Sequence, residues 1–201
     1  MEFKKQTIIS IGREYGSGGH EIARKIAAKL GVPLYDRSIL EEVAVFMGVD
    51  PDELHKYDEQ PKRKFFSRTV RGHNNSNEGA VYELQSELLK EREAMGQSFV
   101  VVGRCADSLF KLNPGLVSIF ITGDYKDKLN RVMEKRELSA RAAANAIAKH
   151  DRNRKAYHNS ICDTKWGETR TYDLIINSSK LGIDGTVDFL VNYVMALQKK
   201  G

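Results

Sequence analysis

The sequence predicts an α/β fold whose parallel sheet is covered by helices on both faces, and three observations carry that prediction. Short, almost wholly apolar runs recur along the chain, as strands buried on both faces require. Amphipathic helical patterns lie between these runs, so successive strands are joined by crossovers rather than hairpins. At residues 7–11 a β-branched run empties directly into a glycine-rich loop and then a helix, an order that turns backbone N–H groups toward an anion.

Taken in order, residues 7–11 form the first strand and residues 12–19, Gly-Arg-Glu-Tyr-Gly-Ser-Gly-Gly, the loop. Ile22, Ile26 and Leu30 then recur on one helical face, and Gly31 stands where a C-cap belongs. Residues 32–35 are a weaker strand candidate ending at Asp36. A helix is expected over 38–47, and another from Asp50-Pro51, with Glu53 as the return partner of its cap. Residues 61–79 are polar, basic and rich in Asn, and read as a loop or insertion, with 58–80 as the bounds of the inserted segment. Helical patterns follow at 82–94, 126–134 and 186–198, and strands at 99–102, 116–122 and 174–176. Residues 138–170 hold an alanine-rich helix and then a cluster of Arg, Lys, His and Tyr with no strand signal.

The chain has 201 residues, 41% hydrophobic and 29% charged, as expected of one globular domain spanning 1–201. Its net charge of +5 favours an anionic ligand without choosing among nucleotide, nucleic acid and membrane surface. Cys105 and Cys162 form no C-x-x-C pair, which suits a reducing compartment. No signal-peptide pattern or membrane-length apolar run is present, so the expected location is cytoplasmic, with no membrane partner.

The loop departs from the usual phosphate-binding pattern G-x-x-x-x-G-K-[ST]: the lysine position holds Gly19, and His20 and Glu21 follow where a hydroxyl for Mg²⁺ is expected. Gly12, Gly16, Ser17, Gly18, Gly19 and His20 are the candidate phosphate contacts. Arg13, at the loop entrance, is the candidate source of the missing cation. Asp36 ends a strand where open α/β sheets place ligand contacts, or it caps the helix beginning near Ser38. Arg104 follows the 99–102 strand and Gly103 at the same edge, where a guanidinium suits a phosphate; a surface pair with Asp107 is the alternative. The run 149–155 (Lys-His-Asp-Arg-Asn-Arg-Lys) reads either as a solvated face or as a lid bringing Arg152 and Arg154 onto phosphates. Two residues apart, these arginines would not share a face of a regular helix. Trp166-Gly167 and Tyr172-Asp173 read as an anchor for the returning chain.

In this order the residues resemble the cytidylate kinase-like family of P-loop nucleotide kinases. The resemblance rests on 12–19, Tyr35-Asp36, Gly103-Arg104, Asp151-Arg152-Asn153-Arg154 and 166–177, with departures at Gly19 and at Cys105, where the family carries aspartate. It implies a three-layer α/β/α sandwich with a five-stranded parallel sheet and a helical, arginine-rich lid at 138–170. It also implies ATP and Mg²⁺ as cofactors, with CMP or dCMP as the favoured acceptor. Arg13, Arg152 and Arg154 would then be catalytic, Asp36 and Arg104 would hold the acceptor, and the metal ligands and oligomeric state are not assigned. Two other readings are a non-catalytic nucleotide-binding regulator with a degenerate loop and a dinucleotide-binding enzyme. The second suffers from Glu21 at the third glycine position. The basic insertion at 58–80 is expected to cover the acceptor pocket, and nucleic-acid binding through Lys62, Arg63, Lys64, Arg68 and Arg71 is its less favoured use.

Overall fold

A computed structural model describes residues 3–41, 44, 50, 69–70, 73–74 and 77–200. Its main sheet has five strands: β1 (Ile8–Arg13), β2 (Leu34–Tyr35), β5 (Phe99–Val102), β6 (Leu116–Thr122) and β7 (Leu174–Asn177), in the order β2-β5-β1-β6-β7. All four neighbouring pairs are parallel. A separate antiparallel pair, β3 (Thr69–Val70) and β4 (His73–Asn74), lies within the expected insertion. The rest of that insertion, and the helix expected from Asp50-Pro51, lie outside the described residues.

Alternation along the strands builds two cores. Ile9, Ile11, Val100, Val102, Ile119 and Ile121 face the helices α1 (Gly19–Leu30) and α6 (Ser178–Lys200), where Ile22, Ile26, Leu190 and Val194 meet them. Ile8, Phe99 and Val101 face the other way, onto Leu89 of α2 (Asn77–Ala94) and Phe110 after the short α3 (Ala106–Leu109). The result is the three-layer α/β/α sandwich. Two further helices, α4 (Tyr125–Arg136) and α5 (Ala140–Ile161), pack together through Val132, Ala143 and Ile147 beside the carboxyl end of β1.

Several boundaries differ from the sequence reading, among them the start of α2 at Asn77 rather than 82, inside the stretch expected to be loop. β1 continues through Gly12 and Arg13, which pair with Phe120 and Ile121, so Gly12 belongs to the strand and not to the phosphate loop. The reason is packing: a Cβ on Gly12 would come within 2.7 Å of the Phe120 ring. The last helix starts at Ser178 rather than near 186, broken at Gly182 (φ 68°, ψ 178°). The helix expected over 38–47 is represented by helical residues 39–41 and 44. Trp166 and Tyr172 do anchor the returning chain, with ring centroids 5.0 and 4.9 Å from that of Phe120. Asp173 completes the anchor by accepting from the Ser118 N–H and hydroxyl, both at 2.8 Å.

Candidate active site

A cavity of about 440 Å³ opens at the carboxyl edge of the sheet, within the range of small-ligand sites. The loop between β1 and α1 forms its floor. Gly16 (φ 82°) and Gly18 (φ 80°) take left-handed conformations, so only glycine fits without strain. Crowding reinforces this: Cβ atoms there would lie 2.9 Å from the Lys128 carbonyl oxygen and 2.3 Å from Ile183. Gly18 caps α1 with no side-chain hydrogen bond, leaving the first-turn N–H groups of a twelve-residue helix directed at the cavity. Ser17 turns inward; fully buried, it donates its hydroxyl to the Glu14 carbonyl at 2.9 Å and so fixes the turn rather than lining the cavity.

Gly19 has a steric explanation. A Cβ on it would lie 2.6 Å from Cβ and 3.1 Å from Cγ of Arg13. The Arg13 side chain occupies the space through which a lysine at position 19 would leave the backbone. Arg13 lines the cavity, so a cation reaches the loop from the end of β1 instead of from the start of α1.

The walls are strongly cationic. Arg13, Arg37, Arg104, Arg131, Lys135, Arg136 and Arg154 line the cavity against the carboxylates Glu14, Glu21 and Asp36. Each of these acids already has a cation or imidazole beside it. Glu14 Oε2 accepts from Lys128 Nζ at 2.9 Å, and Glu21 Oε2 from Lys135 Nζ at 3.1 Å. Asp36 Oδ2 lies 2.5 Å from His20 Nε2, while Asp36 Oδ1 accepts from the Ser38 N–H at 2.9 Å. Asp36 therefore both caps the following segment and faces the cavity. Burial pushes its carboxyl up, but the Ser38 and His20 hydrogen bonds together hold it below the ordinary value.

Arg104 is only 2% exposed and stands with Cys105 in consecutive left-handed conformations, φ 60° and 54°. Backbone strain of this kind in non-glycine residues persists only where the surroundings hold it, and it gathers at binding sites. Arg104 lines both the main cavity and a smaller one behind it.

The helix α5 is regular through the Asp-Arg-Asn-Arg run, so only one arginine of the two reaches the cavity. Arg154 lines it, with Nη1 3.5 Å from the Arg13 carbonyl oxygen and its guanidinium 5.6 Å from the Tyr15 ring centroid. Arg152 is exposed and does not line the cavity, so Arg154 is the one of the two that the helix places there. The helix is docked on the loop by contacts that sequence spacing could not reveal. Asp151 Oδ1 accepts from the Tyr15 N–H at 2.6 Å, and His150 stacks on the Tyr15 ring at 4.2 Å. From α4, Arg131 donates to the Gly16 carbonyl, and the buried Lys128 bridges Glu14 and Asp151 at 2.9 and 3.8 Å. The only advance signal of these α4 residues was the spacing of Lys128, Arg131 and Lys135 on one helical face.

Among the described residues no three metal-binding side chains converge, and no helix is long and apolar enough to cross a membrane.

Comparison with known proteins gives a consistent picture. The chain is 25% identical over 190 residues to the cytidylate kinase of Pyrobaculum aerophilum, covering 92% of this chain and 91% of that one. It is 24% identical to the cytidylate kinase of Methanocaldococcus jannaschii, covering 96% and 99%. Among solved structures, a protein of Eubacterium ventriosum shares 35% identity at a TM-score of 0.74, covering 94% and 98%. A shikimate kinase from Bacteroides thetaiotaomicron, at 14% identity, shares the fold at a TM-score of 0.54, covering 94% and 98%. Residues 8–180 match the profile of the cytidylate kinase-like family, and with the loop, the sheet order and the arginine-lined edge in place, the chain belongs to that family.

Proposed function

We propose that the protein transfers the γ-phosphoryl group of ATP to a nucleoside monophosphate, with CMP or dCMP as the preferred acceptor. The observation that carries this reading is the charge of the cavity: six arginines and Lys135 face three carboxylates that are already partnered. Cations gathered at such density repel one another unless anions separate them. A triphosphate donor and a phosphorylated acceptor together meet that demand better than a donor with an uncharged acceptor does. The names of the curated relatives support cytidine as the acceptor base.

In this reading the backbone N–H groups from Gly16 to His20 cradle the donor phosphates. Arg13 supplies the cation that the lysine supplies in the usual loop, and Arg154 reaches over the transferring group from α5. Because the charge is spread over the equatorial oxygens in a loose transition state, fixed cations suffice for catalysis without a covalent step. Arg104 holds the acceptor phosphate, and Asp36, oriented by His20, holds the sugar or base. Mg²⁺ would neutralise charge on the donor phosphates, held chiefly by their oxygens and by water, since Glu14, Glu21 and Asp36 are already partnered.

The test is a panel of nucleoside monophosphates, with shikimate and gluconate as non-nucleotide controls, incubated with ATP and Mg²⁺ and read by ADP formation. Acceptor-dependent ADP with CMP or dCMP supports the proposal. ADP formed only with a non-nucleotide acceptor refutes it. ATP binding without transfer to any acceptor replaces it with the regulatory reading, which Gly19 favours.

A further inference from the structure

Behind Arg104 lies a cluster of ionisable groups for which phosphoryl transfer has no use. Asp107 and His158 are both buried, with Asp107 Oδ2 2.9 Å from His158 Nε2, and Thr164 donates its hydroxyl to the same oxygen at 3.2 Å. Cys162, at the end of α5, and Cys105, after β5, are 6% and 3% exposed and pack together with Tyr157. Neither is in a disulfide, and the two side chains share one buried cluster.

Ordinary apolar burial keeps a thiol protonated and inert. Here the Cys105 hydrogen bond is the largest influence on Cys162; together with His158 it outweighs burial and lowers the thiol to about 6. Burial works against charge on His158, but hydrogen bonds with Asp107 and Cys162 prevail and raise it to about 10. The pair therefore holds one thiolate beside an imidazolium at neutral pH. A cavity of about 20 Å³ is lined by Cys105, His158 and Asp107 and shares Arg13, Arg104 and Arg154 with the main cavity. That volume is about that of one water, the space from which a peroxide oxygen would reach the Cys105 sulfur.

We propose that Cys105 and Cys162 form a peroxide-responsive dithiol whose closure to a disulfide reversibly shuts the neighbouring phosphate cavity. The proton rests mainly on Cys105; when it passes to Cys162, the Cys105 sulfur, the one that lines the small cavity, attacks one oxygen of hydrogen peroxide as the thiolate. The O–O bond breaks, Cys105 becomes a sulfenic acid, and the departing hydroxide takes a proton from solvent to become water. The Cys162 sulfur then attacks the sulfenic sulfur. The S–O bond breaks, the second hydroxide takes the Cys162 proton, and a disulfide is left. Two thiols have given two electrons, and peroxide has become two waters.

Closure has a consequence for the site because of what flanks each sulfur. Arg104 immediately precedes Cys105 in the strained turn, and Arg154 rides on the helix that ends at Cys162. A bridge fixes the spacing of two arginines that must settle around phosphates, and misplacement on the ångström scale is costly in such a site.

The full-length protein is treated with hydrogen peroxide, then analysed by intact mass, denaturing thiol alkylation and peptide mapping, with and without later dithiothreitol. Loss of two hydrogens, loss of both alkylatable thiols and a peptide joining Cys105 to Cys162, all reversed by dithiothreitol, is the expected result. This thiol readout is independent of the function proposed above. The effect on activity rests on it, with transfer falling by about tenfold to a hundredfold in the oxidised form. Cys162→Ser should trap Cys105 as a dimedone-reactive sulfenic acid without inactivation by bridging; should that variant not fold, the wild-type mapping decides alone. Thiols that resist peroxide, that gain oxygen without pairing, or that pair only between molecules overturn the proposal. A clean intramolecular bridge with unchanged transfer in an active enzyme overturns the shutting of the cavity.

Discussion

Arg13 and Gly19 make sense only as a pair. The loop has lost a lysine at one point and carries an arginine six residues earlier, and the two positions contest the same volume: a Cβ on Gly19 would sit 2.6 Å from that of Arg13. Gly19→Ala should therefore destabilise the protein by about 1–3 kcal/mol, as overpacking does. The same change in an Arg13→Gly background should cost little, and denaturant midpoints for the four proteins measure the coupling. Additive effects would separate the two residues. The lid arginines give a second contrast. Arg154 lines the cavity and Arg152 is exposed. Steady-state assays should show transfer slowed roughly a hundredfold by Arg154→Ala, the scale of a lost electrostatic contact, and Arg152→Ala near wild type. The sequence showed that two arginines two apart would face differently on a helix. Which one faces inward depends on how Ala143 and Ile147 seat α5 against α4, and spacing along the chain carries no record of that. The His20–Asp36 contact was hidden for the same reason: it joins the start of α1 to the end of β2, across one βα unit.

At the scale of elements, α5 does two jobs along one length. Its middle docks on the loop through Asp151 and Tyr15, and its end carries His158 and Cys162 beside Asp107. The buried ion pair makes a specific pH signature. In the folded protein Cys162 releases its proton near 6 and His158 near 10, against ordinary values of 9.0 and 6.5. Between 6.5 and 9.0 the folded and unfolded chains hold the same number of protons on this pair, so its contribution to stability is level there. Below that window the unfolded imidazole takes up a proton that the folded pair does not, so stability falls with falling pH until the folded thiolate is itself protonated near 6. Above 9.0 the unfolded thiol ionises while folded His158 stays charged to about 10, so stability falls with rising pH. Cys162→Ser should remove the plateau, with the decline beginning near 6.5 in urea titrations across pH; a retained plateau would mean that the imidazolium has no thiolate partner. Asp107→Asn, which removes one of the two anions facing His158 while the Cys162 thiolate remains, should cost about 1.5–3 kcal/mol at neutral pH, the range for a hydrogen bond to a charged group. Strand boundaries at this scale were legible where apolar runs were long, as in β5 and β6. They were missed at Gly12 and Arg13, because a glycine next to a loop reads as loop until Phe120 is seen packed against it.

Across the whole molecule, the class and the parallel sheet were legible because buried strands and amphipathic crossovers leave periodic marks. The order β2-β5-β1-β6-β7 puts the first strand at the centre, so its carboxyl end lies between those of β5 and β6, and the loop, Arg104 and the α4 cations can meet in one cavity. Convergence of that kind depends on tertiary placement, and the spacing of Lys128 and Arg131 on one face of α4 said nothing of where that face would dock. The central claim is that this convergence lets a loop without its lysine transfer a phosphoryl group, with Arg13 as the substitute cation. The most direct test compares kcat with ATP, Mg²⁺ and CMP for the wild type and Arg13→Ala, alongside ATP binding by calorimetry. Wild-type turnover should be measurable and should fall by roughly a hundredfold or more in Arg13→Ala, with ATP affinity held within a few fold. Wild-type protein that binds ATP but turns over no monophosphate, or an Arg13→Ala protein with undiminished kcat, would contradict it.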